Sequence, residues 1–263
     1  MSFIEAHDRQ AMTTQHFRFG YGPRRAVALH GWFSDWTVFE PILSAIDESR
    51  YSIAFLDYRG YGASRPSPGP FDLETVAKDA LAVTQALGWD SFSVIGHSMG
   101  GKAALRLALD APRQVERILA LTPVWAGAAP FDATTLDFFR GAVDSIQRRA
   151  EIIGVSTGGI LPPAWARSVA ERSWQVSSPE AFAGYFESWA NSDFASEAAA
   201  IQQPTLVVGG ANDHGIPPAS LEGTWLAHLP NATLKIMNDC GHYPMLERPP
   251  ALAALLTGFL DSK

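Results

Sequence analysis

Short apolar runs alternate with longer amphipathic segments along most of the chain. Six runs rich in Val, Ile and Leu have the length of buried strands: 26–30, 52–57, 92–96, 117–122, 205–209 and 233–237. Segments whose apolar residues recur at three and four lie at 72–87, 99–110, 218–228 and 247–261. This alternation predicts an α/β fold, with a mostly parallel twisted sheet flanked by helices. Residues 16–21 are predicted to add an antiparallel edge strand.

One long segment, 125–203, breaks the alternation. It is rich in tryptophan and phenylalanine, shows no strand pattern and is interrupted by prolines and by a Gly-Gly pair. We interpret it as a helical cap inserted over the sheet. The α/β core would then consist of residues 1–124 and 204–263.

Composition limits the possible partners. The chain has 263 residues, of which 47% are hydrophobic and 18% charged, which is typical of a globular protein. Its formal net charge of -7 and the lack of a basic stripe predict that it does not bind nucleic acid. Nothing in the sequence predicts its oligomeric state.

The location of the protein is predicted from three features. Residues 1–15 are too polar for a secretory signal, and the uncharged stretch 118–131 is too short to cross a membrane. Cys240 is the lone cysteine, so the chain forms no intrachain disulfide. We therefore expect a cytoplasmic protein with no membrane association. The seven histidines are scattered, which predicts no metal site, and no cofactor is expected.

The stretch 93–107 fits two incompatible motifs. Gly96, Gly101 and Lys102 match a phosphate-binding loop, whereas Gly96, Ser98 and Gly100 match a nucleophile elbow. A phosphate loop needs Ser or Thr after its lysine to hold Mg²⁺, and this chain has Ala there. The elbow needs a strand before the serine and a helix after it, and both are predicted. The pattern therefore favours a reactive serine.

A serine nucleophile requires a histidine base and an orienting carboxylate. Asp213 and His242 each follow a predicted strand, and the carboxyl ends of parallel strands meet at one sheet edge. Residues 98, 213 and 242 are therefore expected to converge. Asp239 is a second candidate for the carboxylate, although a residue so close to His242 would have difficulty reaching its far ring nitrogen.

Five stretches carry a family resemblance. They are "LHGW" at 29–32, "DYRGYGASRP" at 57–66, "GHSMGG" at 96–101, "GGANDHGIP" at 209–217 and "CGHYPMLERP" at 240–249. With them the chain resembles the α/β-hydrolase fold superfamily, as a serine carboxylesterase-like member with a helical cap. The resemblance covers nearly the whole chain.

The resemblance implies a role for each site residue. Ser98 would be the nucleophile, His242 the general base and then acid, and Asp213 the carboxylate that orients the imidazole. The backbone N–H groups of Trp32 and Met99 would form the oxyanion hole. Phe33 departs from the pattern, because relatives often have Pro or Gly at that position, and this leaves the geometry of the Trp32 donor open.

The expected activity is hydrolysis of a small-molecule carboxylic ester through an acyl-enzyme. An aromatic, largely apolar pocket is predicted from Phe33, Trp125, Phe138, Phe139 and Trp189. Three other reactions would use the same three residues and remain alternatives: cleavage of a C–C bond in a dione, amide hydrolysis and peroxyacid formation. A non-catalytic binding protein of the same fold is a further alternative.

Overall fold

Seven strands form one sheet in the computed structural model, which describes residues 14–262. They are β1 (His16–Phe19), β2 (Arg24–Leu29), β3 (Tyr51–Leu56), β4 (Phe92–His97), β5 (Val115–Leu121), β6 (Thr205–Gly210) and β7 (Ala232–Met237). Their order across the sheet is β1-β3-β2-β4-β5-β6-β7. Strand β1 pairs antiparallel with β3, and the other neighbours are parallel. The predicted fold class is confirmed, including the antiparallel edge.

The central strands are buried along their whole length because both faces of the sheet are covered. Every residue of β3 and of β4 is buried. Strand β5 ends at Leu121, one residue earlier than predicted, because Thr122 adopts a left-handed backbone with φ of 41°. The carboxyl ends of the parallel strands share one edge, and the loops that follow them carry the candidate site.

Helices flank the sheet and fill the segment between β5 and β6. The first ones are α1 (Glu40–Leu43), α2 (Leu73–Ala86) and α3 (Met99–Asp110). Between β5 and β6 lie α4 (Ala133–Arg140), α5 (Ile146–Ser156), α6 (Pro163–Val176), α7 (Pro179–Asn191) and α8 (Ala195–Ala198). The last ones are α9 (Pro218–Leu221), α10 (Pro244–Glu247) and α11 (Pro249–Asp261). No helix among residues 14–262 is long and apolar enough to cross a membrane.

Helix α2 shows how local sequence sets the ends of an element. The Asp72 side chain caps its first turn by accepting the Thr75 N–H at 2.7 Å. At the other end Gly88 takes a φ of 67°, the left-handed conformation that ends helices and favours glycine. A glycine directly after an apolar helical segment is a local signal for the end of that helix.

Two predicted helices are interrupted. The segment 218–228 begins as α9 and continues as a π-helix over Glu222–Leu226. The segment 247–261 begins only at Pro249, because proline lacks the N–H that a helix interior needs and is favoured in a first turn. Apolar spacing alone does not distinguish these variants from a continuous α-helix.

Hydrogen bonds of Lys102 and an ion pair of Arg172 join the segment that precedes β6 to the rest of the fold. Lys102 of α3 is buried, and its ammonium donates to the carbonyl oxygens of Gly127, Trp189 and Ser192 at 2.6–2.9 Å. The Arg172 guanidinium of α6 pairs with Asp35 at 2.7 Å. These contacts join α6 and the end of α7 to the loop after β2 and to α3; the boundaries 125–203 for a separate cap stay a prediction.

Candidate active site

Ser98 occupies a strained turn between β4 and α3. Its φ of 53° and ψ of -117° lie outside the regions that L-residues favour. Two glycines allow the tight packing around it. A Cβ on Gly96 would lie 2.3 Å from the Gly100 oxygen, and a Cβ on Gly100 would lie 2.3 Å from the Leu29 oxygen. The turn therefore places Ser98 at the N-terminus of α3, as a nucleophile elbow requires.

His242 and Asp213 meet although 29 positions separate them in sequence. The His242 Nδ1 lies 2.6 Å from Asp213 Oδ2. The other oxygen of Asp213 accepts the N–H groups of Gly215 and Ile216, each at 2.9 Å. Asp213 is fully buried, so these three bonds hold its carboxylate and the imidazole in one orientation. Nε2 of His242 is left available for a second partner.

The backbone of His242 is anchored from three sides. Its carbonyl oxygen accepts from His97 Nε2 at 2.9 Å and from the Thr122 hydroxyl at 2.8 Å. Its N–H donates to the Ser156 carbonyl at 3.1 Å. Burial and the neighbouring His242 lower the pKa of His97 well below its ordinary value, so His97 is a neutral donor. His97 therefore acts as a hydrogen-bonding residue behind His242.

Two backbone N–H groups near Ser98 are free to bind an anion. Met99 is the first residue of α3, and N–H groups at this position have no partner within the helix. Among residues 14–262, neither the Met99 nor the Trp32 amide donates to a protein acceptor. A Cβ on Gly31 would lie 3.3 Å from Ser98 Cβ, so the loop that carries the Trp32 amide runs beside the serine.

A cavity of about 320 Å³ opens at this edge of the sheet. Ser98 and His242 both line it, together with four of the predicted pocket residues: Phe33, Trp125, Phe139 and Trp189. The lining has no Lys, Arg, Asp or Glu side chain. The cavity therefore offers a substrate no carboxylate, ammonium or guanidinium partner.

Phe138 differs from the prediction because it does not line this cavity. Its ring lies edge-on to Phe139, with ring centroids 6.2 Å apart, and beneath the Arg148 guanidinium. Adjacent helix positions point about 100° apart, so only one of the two phenylalanines faces inward. The sequence pattern did not determine which one.

Several lining residues were missed by the sequence analysis. Pro123 and Val124 follow β5, and Ile216 follows Asp213. The rule that located the candidate triad, which takes residues just after the carboxyl end of each strand, would also have found them. Tyr243, which directly follows His242, would have been found in the same way, whereas Phe131 and Ile152 carry no comparable signal.

The phosphate-loop interpretation is excluded by the position of Lys102. Its ammonium is buried and all three of its hydrogen bonds go to backbone carbonyls. A lysine that binds phosphate must present its charge to the ligand. Lys102 therefore has a structural role.

The remaining polar candidates lie outside the site. Asp239 is 82% exposed and lies 3.9 Å from Arg248. Asp57 accepts the N–H groups of Trp36 and Ala63 and so organises the turn after β3. Cys240 is buried, and burial raises the pKa of its thiol to about 12. Among the residues that the structure covers, no cluster of His, Cys, Asp or Glu could hold a metal ion.

Comparisons with known proteins give the same picture. Residues 27–249 match the family model described as alpha/beta hydrolase fold. The chain is 30% identical over 242 residues to a pimeloyl-[acyl-carrier protein] methyl ester esterase of Nitrosomonas europaea, covering 88% of this chain and 92% of that one. It is 27% identical over 262 residues to a 2-hydroxy-6-oxononadienedioate/2-hydroxy-6-oxononatrienedioate hydrolase of Pseudomonas putida, covering 92% and 89%.

Solved structures share the fold over the full chain. An esterase from Exiguobacterium antarcticum superposes with a TM-score of 0.82 at 22% identity, covering 99% of both chains. A bromoperoxidase from Bacillus anthracis gives a TM-score of 0.86 at 18% identity, covering 100% of both. At these identities the likeness concerns the fold alone. On the family match to residues 27–249, this chain belongs to the alpha/beta hydrolase fold family.

Proposed function

We propose that the protein is a serine hydrolase that cleaves carboxylic esters of small to medium, largely apolar substrates. One observation carries this proposal. Ser98 lies in a strained turn in the wall of an apolar cavity that also contains His242, whose ring is held by the buried Asp213. A hydroxyl, a base and an orienting carboxylate are the groups that acyl transfer requires.

In this mechanism Ser98 Oγ attacks the ester carbonyl carbon while His242 Nε2 takes the hydroxyl proton. The Met99 and Trp32 amides stabilise the resulting oxyanion, each by about 3 kcal/mol. The tetrahedral intermediate collapses, the C–O bond to the alcohol breaks, and His242 protonates the leaving alkoxide. Water then attacks the acyl-enzyme with His242 as base, which releases the acid and restores Ser98.

The lining of the cavity favours an uncharged substrate. It has no cationic side chain that could pair with a carboxylate. The Pseudomonas putida relative acts, by its name, on a dioate, which carries two carboxylates. Burying such a group without a partner is costly, so we favour an ester over C–C cleavage of a dicarboxylate. The methyl ester esterase of Nitrosomonas europaea is consistent with this choice.

The test compares the wild-type protein with Ser98→Ala. On a panel of p-nitrophenyl esters of increasing acyl length, beside an amide and a C–C substrate, the wild-type protein should turn over esters fastest. Ser98→Ala should stay folded and lose several orders of magnitude in kcat. Activity of the variant within about tenfold of wild type would rule out this nucleophile.

A fluorophosphonate probe separates an enzyme from a non-catalytic binding protein. We expect covalent labelling of the wild-type protein at Ser98, found by mass mapping, and none of Ser98→Ala.

The lone cysteine also supports our proposal of a cytoplasmic location, because it fits a reducing compartment. The helical segment 125–203 is proposed to act as the cap over the cavity.

A further inference from the structure

Two tyrosines in the loop after β3 bind the backbone next to Ser98. The Tyr58 hydroxyl donates to the His30 carbonyl at 2.8 Å, and the Tyr61 hydroxyl donates to the Trp32 carbonyl at 2.9 Å. Both tyrosines are fully buried. Neither side chain lines the cavity, so neither touches a substrate there.

The two hydroxyls hold the backbone on both sides of the Trp32 amide. The carbonyl of Gly31, which belongs to the same peptide unit as that N–H, accepts from His30 Nδ1 at 2.8 Å. The carbonyl before this peptide is bound by Tyr58 and the one after it by Tyr61. Rotation of the Trp32 N–H therefore requires that at least one buried hydrogen bond break.

The Trp32 side chain reinforces this placement from the opposite side. Its indole Nε1 donates to the Phe182 carbonyl of α7 at 2.8 Å, and its ring stacks on Phe182 with centroids 4.1 Å apart. With its side chain held by α7 and its carbonyl by Tyr61, Trp32 has little freedom to move. Such an amide can stabilise developing charge without reorganising.

We propose that Tyr58 and Tyr61 are positioning residues that orient the Trp32 N–H toward an oxyanion formed at Ser98. This inference rests on the proposed function, since it assigns the tyrosines a role in the same reaction. Each hydroxyl acts through the loop backbone and contributes to the chemical step rather than to substrate binding.

Tyr185 provides a matched control. Its ring centroid lies 5.7 Å from that of Tyr58 and 5.6 Å from that of Tyr61, so it belongs to the same aromatic cluster. Its hydroxyl is buried and has no hydrogen-bond partner within residues 14–262. Tyr185→Phe therefore removes a buried hydroxyl from this cluster without changing a contact to residues 30–33.

The experiment compares Tyr58→Phe, Tyr61→Phe and Tyr185→Phe with the wild-type protein. We measure kcat and KM on a p-nitrophenyl ester, the rate of fluorophosphonate labelling at Ser98, and the affinity for a trifluoromethyl ketone, which forms a tetrahedral adduct with serine. Tyr58→Phe and Tyr61→Phe should each lower kcat and the labelling rate by roughly tenfold or more, with KM unchanged. Affinity for the ketone should fall in parallel. Tyr185→Phe should stay within about twofold of wild type.

Three results would overturn the inference. The first is a kcat within about twofold of wild type in both Tyr58→Phe and Tyr61→Phe, with kcat calculated per Ser98 that the fluorophosphonate probe labels. The second is an equal loss in Tyr185→Phe, which would indicate general loosening of the cluster. The third is a rise in KM at constant kcat. If one variant fails to fold, the other carries the test, because the two hydroxyls hold opposite sides of the same amide.

The outcome also separates this inference from the proposed function. A wild-type protein that labels at Ser98 and hydrolyses esters, with tyrosine variants that match it, overturns the inference alone. A wild-type protein that neither labels nor hydrolyses esters overturns the proposed function, and the inference with it.

Discussion

At the scale of single residues, two aspartates near His242 show how position decides the role of a carboxylate. Asp213 is buried and bonded to the imidazole, whereas Asp239 is 82% exposed and faces Arg248. Asp239 precedes His242 by three positions, yet its side chain points to solvent and not to the imidazole. The fold instead brings Asp213 to the ring, because the loops after β6 and β7 open at the same sheet edge.

We expect Asp213→Asn to lower kcat by roughly 10³- to 10⁴-fold, because an amide neither holds the required imidazole tautomer nor stabilises the imidazolium. The matched control, Asp239→Asn, should leave kcat unchanged. Steady-state kinetics on one ester checks both. A larger loss in Asp239→Asn than in Asp213→Asn would contradict the assignment.

Cys240 illustrates how burial suppresses a reactive group. Its side chain is fully buried, and burial, followed by the nearby Glu247, raises the pKa of the thiol to about 12. Because the thiolate is the reactive form, native Cys240 should not react with a thiol reagent at pH 8 and should react once the chain is unfolded in denaturant. Absorbance of released thionitrobenzoate measures this. Rapid reaction of the native protein would be incompatible with the buried position.

At the scale of elements, Lys102 joins α3 to the segment that precedes β6. Its three acceptors are the Gly127 carbonyl and two carbonyls at the end of α7, those of Trp189 and Ser192. The C-terminal carbonyls of a helix carry partial negative charge, which favours a cation there. Burial lowers the pKa of Lys102 to about 8, so the amine is protonated at and below neutral pH.

Lys102→Met keeps the apolar part of the side chain and leaves one buried and two partly buried carbonyls without their donor. We expect the free energy of unfolding to fall by roughly 2–4 kcal/mol. Urea unfolding at pH 7 measures the difference. The control is Lys78→Met, at an exposed position on α2, which should change the free energy of unfolding by less than about 0.5 kcal/mol. Equal effects of the two substitutions would show that the hydrogen bonds of Lys102 do not stabilise the fold.

The elements also show what apolar spacing can determine. Strand positions were predicted closely because a run buried on both faces is a local signal that no distant residue has to supply. The π-helix at Glu222–Leu226 and the late start of α11 at Pro249 were not predicted. Phe138 and Phe139 are neighbours on α4, and packing against Trp32 and Phe186 selects Phe139 for the interior.

At the scale of the whole molecule, buried titratable groups couple stability to pH. Burial lowers the pKa of His30 to about 4 and raises that of Asp57 to about 7. Neutral His30 uses both ring nitrogens, donating from Nδ1 to the Gly31 carbonyl and accepting the Tyr58 N–H at Nε2. The two groups act in opposite directions as the pH falls.

The sign for His30 follows from its lowered pKa. Between pH 6.5 and 4 an unfolded imidazole takes up a proton and the folded one does not, so acid favours unfolding. Over this range the wild-type protein should lose more stability than His30→Gln, with a slope difference of about 1.4 kcal/mol per pH unit. Urea unfolding at several pH values measures the slopes. Parallel slopes would mean that His30 is not held neutral.

Asp57 opposes this trend. Its raised pKa means that the folded state takes up a proton below pH 7 while the unfolded carboxylate stays ionised until about pH 4, so this group favours folding as the pH falls. Comparison of His30→Gln with wild type removes the contribution of Asp57, because both proteins contain it.

Several features of this protein depend only on local sequence pattern. A few consecutive residues are enough to predict the strands, the cap of α2 and the tight turn around Ser98, because neighbouring residues set the backbone conformation. The convergence of the loops that hold Asp213 and His242 was also predictable, because parallel strands all end at the same edge of the sheet.

The folded structure alone shows which groups are in contact. It placed the Tyr58 and Tyr61 hydroxyls on the loop that carries Trp32, and it gave Lys102 three carbonyl partners in place of a phosphate. These contacts join residues far apart in sequence. Their energies depend on distance and burial in the folded chain, and neither quantity is encoded in the local alternation of apolar and polar positions.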